Sequence, residues 1–401
     1  TEIYTLSLHD ALPISSPFVL VSDGMTKHLS ADFAAFRARK HFGNLDGLRF
    51  VCIMMVLWHH NAPIDTSGLP ILQRGFLGVD FFFVLSGFLI TTLLLREIAD
   101  TGRLAMRNFY LRRILRIVPV YFFVVTCVAG YYIGLKGQTQ FLEILPYYYL
   151  FLSNFLTQDI PLLTITWSLA VEEQYYLLWP LLLTLLPRGW LVPISVGFIL
   201  LNVLVISGTA PYTPPSAGPL LFKLPNATYA PIILGSLVAI LLHRPDGFAV
   251  GRVVAGWYLA PLAGFVVLLG LMHVLPADLR GVPNMILHLV MAYTLIALVV
   301  AERNVLTPLL TRGPVMRIGA VSYGIYLYHL LALDVVNRIA DRAGDPPEWL
   351  TFLAYIALSY GIAELSFRTI EAYFQRFRPA PPKPQTASDL ASATGVSKSA
   401  A

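Results

Sequence analysis

The chain has 401 residues, of which 56% are hydrophobic and only 13% charged, with a formal net charge of +5. A water-soluble domain carries roughly twice that charged share, so a soluble globular fold is excluded and a lipid-embedded one is expected. The positive charge does not imply nucleic acid, because the basic residues sit in short loops between apolar runs, the pattern that orients membrane proteins. Cys52 and Cys127 lie in different apolar runs, so neither a disulfide framework nor a thiolate metal site is implied. The histidines show no HExxH-type spacing, and adjacent His59 and His60 point about 100° apart on a helix, a poor metal pair. No metal and no permanently bound cofactor are expected.

The opening TEIYTLSLHDALPISS has neither the basic start nor the apolar core of a signal peptide. It resembles translated adapter read-through, so residues 1–16 are expected to be non-native, with Met25 a plausible start and 17–43 a cytoplasmic segment. Apolar runs then predict ten membrane helices near 46–62, 76–95, 115–135, 167–187, 190–207, 229–243, 254–275, 284–301, 317–337 and 349–370. The aromatic stretch 144–156 is too short to span and is expected to lie at the interface or re-enter. This arrangement places Arg37, Arg39, Lys40, Arg96, Arg103, Arg107, Arg112, Arg113, Arg116, Arg188, Arg244, Arg252, Arg303, Arg312, Arg317, Arg376 and Arg378 on one side. Only Arg74, Lys136, Lys223, Arg280, Arg338 and Arg342 face the other. That bias predicts an all-α polytopic bundle with both termini in the cytoplasm. The Pro-, Ala- and Ser-rich 379–401 reads as a disordered tail, and no second folded domain is expected after it.

Ionisable groups inside membrane helices are costly and therefore candidates for function. In LDGLRFVCIMMVLWHH, Arg49 and His60 are about 16 Å apart along a helix and about 20° from a common face. One groove would then carry a cation near the cytoplasm and an imidazole deeper in. The competing reading has Arg49 reach lipid headgroups and His60 end the helix. Asp80 opens GVDFFFVLSGFLIT, where a carboxylate suits a helix start, and Ser86 and Gly87 allow close helix approach. In NFYLRRILRIVPVYF, Arg113 and Arg116 share a face and match phosphate oxygens, although topology signals look the same. In TWSLAVEEQYYLLWP, Glu172 and Glu173 lie in an apolar helix, and only Glu172 shares a face with Ser168 and Tyr176. It holds a histidine or arginine, binds an acceptor hydroxyl, or forms a bundle salt bridge. Tyr323, Tyr326, His329 and His288 are expected to line a cavity, with Glu364, Arg368 and Glu371 following.

Together these blocks resemble the integral-membrane acyltransferase family 3, from about Asn44 to Phe374. The Arg-ten-His spacing, FFFVLSGFLIT, FYLRRILRIVP and TWSLAVEEQYYLLWP carry the resemblance in order, with SYGIYLYHLL and LSFRTIE as weaker additions. One departure is that Ala372, Tyr373 and Phe374 stand where a proline usually follows the final IE. The resemblance implies a bacterial inner-membrane O-acyltransferase that uses acyl-coenzyme A, commonly acetyl-coenzyme A, and a hydroxyl of an envelope glycan or other glycoside. It puts the functional histidine on His60, its partner on Arg49, the inner-face arginines on Arg113 and Arg116, and the acidic motif on Glu172 and Glu173. Ser86, Tyr323 and His329 are expected to join the substrate site. Some members carry a fused hydrolase-like domain; without one, direct transfer or a separate partner is expected. The rival reading is a transporter or flippase of an envelope intermediate, in which the same residues would line a path.

Overall fold

A computed structural model describes residues 23–222 and 229–380. The expected artefact at 1–16, Lys223 and residues 381–401 of the expected tail lie outside the described residues, as does the side chain of Arg188. Helix α1, Asp23–Ala38, belongs to a compact unit ending at Arg39. The rest of the chain forms a second unit, to which everything below refers.

That unit is built from helices α2 (Gly43–His60), α3 (Leu77–Thr101), α4 (Met106–Ala129), α5 (Thr166–Leu185) and α6 (Arg188–Ile206). They are followed by α7 (Ala230–His243), α8 (Pro245–Ala255), α9 (Ala260–Val274) and α10 (Val282–Val300). Next come α11 (Gly313–Ala320), α12 (Ser322–Arg342) and α13 (Glu348–Ser366), and helices of four or five residues are left unnumbered. Among the described residues the only strands are a two-residue hairpin pair, Ser216–Ala217 with Leu220–Leu221. The chain is an all-α, multi-pass membrane protein.

Each expected span contains a helix, but the count of ten is not reproduced by apolar length. Among the described residues five helices are long and apolar enough to cross a bilayer, or seven if each sharply bent pair is one broken span. Helix α9 has only 15 residues. Helices α2 and α5 fall short because Asp46, Arg49, Glu172, Glu173 and Gln174 dilute their apolar character.

Two bends were not anticipated. Helices α7 and α8 meet at 108° and α11 and α12 at 73°. The first has a local cause. Pro245 pushes Arg244 into an extended conformation (φ −94°, ψ 139°), which stops α7 and restarts the chain in a new direction.

A close helix crossing joins α3 to α7. A Cβ on Gly87 would sit 1.8 Å from the carbonyl oxygen of Ile232, and one on Gly235 would sit 2.0 Å from that of Val84. Small residues here let two backbones touch, which is how membrane helices gain packing without a hydrophobic driving force. Beside the crossing, Tyr175 Oη shares hydrogen bonds with Ser236 Oγ (2.6 Å) and Thr91 Oγ1 (3.2 Å).

The stretch 144–156 contains only the five-residue helix Leu145–Tyr149 and a 3-10 turn, Ser153–Phe155, neither long enough to cross. It is nonetheless firmly held. Tyr121 Oη donates to the Tyr148 carbonyl at 3.0 Å, and Gln174 Nε2 donates to the Phe151 carbonyl at 2.8 Å and to Asn154 Oδ1 at 2.8 Å. Phe151 adopts φ 53°, unusual for a bulky residue, and its ring stacks on Tyr121 with centroids 4.4 Å apart.

Arg74, expected among the few basic residues on the side away from the termini, is only 5% exposed. Its guanidinium donates to the carbonyls of Met272 (2.8 Å), Leu275 (2.8 Å) and Pro276 (2.5 Å). These include carbonyls that the C-terminus of α9 leaves unpaired, and a cation there also suits the helix dipole.

Candidate active site

A cavity of about 110 Å³ opens between α2, α3, α4, α5 and the start of α12. Each helix contributes through its own periodicity. Arg49 comes from α2 and Ser86 from α3, one turn beyond Phe82 and two beyond Val79. Arg113 and Arg116 come from α4, and Ser168, Glu172 and Tyr176 from successive turns of α5. Tyr323 and Tyr326 close it from α12. The volume is many times that needed for one water molecule.

The three arginines give this cavity its character. Arg49 is half-engaged, donating from Nη1 to Asp46 Oδ1 at 3.1 Å. Arg113 lies over the rings of Tyr176 (5.6 Å) and Phe109 (5.8 Å). Among the described residues, no carboxylate lies within ion-pair distance of Arg113 or Arg116. Arg112 turns the other way, to Glu97 Oε2 at 3.1 Å, while Glu97 Oε1 accepts the backbone N–H of Ala105 at 2.8 Å. The arginine cluster therefore divides: Arg112 secures the α3–α4 connection, and Arg113 with Arg116 faces the cavity.

Glu172 is the carboxylate that reaches this space, and it accepts a hydrogen bond from Ser86 Oγ at 2.7 Å. Glu173 is not among the lining residues. Three guanidinium groups against two carboxylates, Glu172 in the cavity and Asp46 on Arg49, leave excess positive charge in a low-dielectric setting, which an anionic ligand would neutralise. Tyr323 Oη donates to the Ile117 carbonyl at 3.1 Å and ties α12 to α4 beside the arginines.

The histidines stand apart from this cavity. His60 and His329 do not line it; their rings pack edge-on with centroids 4.6 Å apart. His60 Nδ1 lies 2.9 Å from the Val56 carbonyl and His329 Nδ1 lies 2.6 Å from the Tyr326 carbonyl. A carbonyl can only accept, so Nδ1 carries the proton in each ring and Nε2 presents its lone pair. His329 is fully buried and its Nε2 has no partner among the described residues. His59 is exposed and packs its ring on Phe76 at 5.5 Å.

Three expectations change accordingly. Arg49 lines the cavity and His60 does not; His60 packs instead on His329. Glu172 meets Ser86 rather than a histidine among the described residues. His288 is not part of this cavity either: it is 1% exposed and pairs through Nε2 with Asp80 Oδ2 at 3.2 Å, linking α10 to α3. Tyr326 proves more central than the sequence shows. Its position three residues from both Tyr323 and His329 is the local signal that it shares their side of the helix. Among the described residues, no group of three His, Cys, Asp or Glu side chains is placed to hold a metal ion.

The structure is thus a membrane helix bundle with an arginine-lined cavity and, apart from it, two packed imidazoles whose Nε2 atoms have no hydrogen-bond partner among the described residues. Residues 42–366 match the family model described as an acyltransferase domain, and the chain belongs to the acyltransferase 3 family. It is similar to the peptidoglycan O-acetyltransferase OatA of Listeria monocytogenes, 27% identical over 369 aligned residues that cover 83% of this chain and 56% of that protein. It is also similar to the O-acetyltransferase OatA of Staphylococcus aureus, 28% identical over 370 residues covering 83% and 57%. The chain thus spans little more than half the length of these relatives. No solved structure matches it.

Proposed function

We propose that this protein is an O-acyltransferase of the bacterial inner membrane, with both termini in the cytoplasm, that moves an acyl group, commonly acetyl, from acyl-coenzyme A to a hydroxyl of an envelope glycan. The observation that carries this reading is the arginine cavity: among the described residues Arg113 and Arg116 have no carboxylate partner, and a donor rich in phosphate would supply the missing charge. Family membership and the names of the O-acetyltransferase relatives support the reaction class. The basic residues gathered on one side of the expected spans support the orientation.

In this reading Arg49, Arg113 and Arg116 anchor the donor's phosphates, and its thioester arm extends toward the histidine pair. His60 Nε2 takes the proton of the acceptor hydroxyl as the oxygen attacks the thioester carbonyl. The C–S bond breaks, the ester forms, and the departing thiolate takes the proton from His60, regenerating the free base. His329, packed on His60, keeps that ring in place, and Glu172 presents an acceptor oxygen to the donor or to the incoming hydroxyl. Glu173 shapes the charge beside them.

The test is coenzyme A release from labelled acetyl-coenzyme A by membranes containing wild type or His60→Ala. Release and label transfer that depend on His60 support the proposal. Equal signals from both, with candidate glycans supplied, would overturn the role of His60 and favour the transporter reading.

A further inference from the structure

Tyr326 is the residue common to both halves of the site. Its side chain lines the arginine cavity, and its hydroxyl hydrogen-bonds with Ser168 Oγ at 2.7 Å and donates to the Ile165 carbonyl at 3.2 Å. Since Tyr326 gives its one proton to that carbonyl, Ser168 Oγ, itself 3.0 Å from the same oxygen, donates to Tyr326 Oη. On its other side the Tyr326 ring lies 5.6 Å from that of His329, which meets His60 at 4.6 Å. Ser168 and Tyr326 are 3% and 7% exposed. The hydrogen-bonded pair therefore ties α12 to the start of α5 as a wall of the arginine cavity, with the His329 ring packed on Tyr326.

A wall at that point has a consequence for the donor. A thioester whose phosphates are held by the arginines presents its acyl end toward Tyr326 and the histidines behind it. A short acyl group needs little room there, whereas each added methylene must displace an aromatic ring fixed by two buried hydrogen bonds. We infer that Tyr326, braced by Ser168, is the specificity-determining residue that restricts the donor to short acyl chains. This rests on the acyltransferase reading above and adds the size class of its donor.

The experiment compares acetyl-, butyryl- and hexanoyl-coenzyme A as donors for wild type, Tyr326→Ala and Tyr326→Phe in membranes, with coenzyme A release and label transfer as readouts. Wild type should favour acetyl. Tyr326→Ala should raise the butyryl-to-acetyl rate ratio by about tenfold or more, the scale on which apolar pockets separate chains differing by methylenes. Tyr326→Phe, which keeps the ring and loses the hydroxyl, should stay acetyl-selective. A Tyr326→Ala protein that transfers acetyl with an unchanged chain-length ratio overturns the inference, as does a wild type equally fast with all three donors. If Tyr326→Ala does not accumulate, Tyr326→Leu reads the same ratio, and an unchanged ratio there is equally decisive. No thioester cleavage by wild type with any donor overturns the acyltransferase reading, and the inference with it.

Discussion

His60, at the end of α2, packs edge-on against His329 in α12 with ring centroids 4.6 Å apart, and each ring donates Nδ1–H to a carbonyl of its own helix. Two neutral imidazoles so arranged expose two lone pairs in one place. Replacing His60 with Ala should lower transfer by about 10²–10⁴-fold, the usual worth of a general base. His329→Ala should lower it too, while leaving the KM for the acyl donor largely unchanged. Steady-state kinetics on purified protein, with monodispersity as the folding check, would separate these effects from misfolding.

The arginines of α4 should divide by phenotype. Arg113→Ala and Arg116→Ala each remove a charged donor worth about 1.5–3 kcal/mol, and should raise the KM for acyl-coenzyme A by about ten- to a hundredfold. Lysine at either position should restore only part of the loss, since it cannot make a bidentate fork. Arg112→Ala should leave that KM unchanged and lower the melting temperature, because Arg112 serves Glu97. A donor-binding defect in Arg112→Ala equal to that of Arg113→Ala would contradict this division.

Ser86→Ala leaves Glu172 in the cavity without its 2.7 Å donor. The expected loss is about 1–3 kcal/mol, split between stability and transition-state binding. Ser86→Thr, which retains a hydroxyl, should recover most of it. Activity and thermal unfolding measured on the same preparations would show the split.

Arg74→Ala should cost stability without touching donor affinity. It strips charge-assisted hydrogen bonds from three carbonyls at the end of α9. A loss on the order of 3 kcal/mol follows for such buried acceptors. Thermal unfolding in detergent is the measurement, and an unchanged melting temperature would show that water replaces the guanidinium.

Gly87 tolerates no side chain where the structure puts it, since a Cβ would fall 1.8 Å from the Ile232 carbonyl oxygen. Gly87→Val should separate α3 from α7 and abolish accumulation of folded protein. Gly130→Ala, where a Cβ meets nothing within 4 Å, is the neutral control for the comparison of expression and monodispersity.

The amino-acid sequence by itself determined whatever depends on periodicity within one helix. Apolar runs located the helices, although not how many of them are greasy enough to cross alone. The four-residue spacing of Ser168, Glu172 and Tyr176 placed them on one face, and all three line the cavity. The three-residue spacing of Arg113 and Arg116 did the same. His59 was separated from His60 by the turn of a helix alone.

Tertiary structure decided which faces meet. Nothing in the local pattern shows that Arg112 turns to Glu97, that Asp80 meets His288, or that Arg74 clamps the end of α9. Nor does it show that His60 finds His329 rather than Glu172, or that Tyr326 both lines the arginine cavity and packs on His329. Helical periodicity is a property of neighbours a few residues apart. A partner in another helix depends instead on crossing geometry, which is set here by the Gly87–Gly235 contact and by the bend at Arg244 and Pro245.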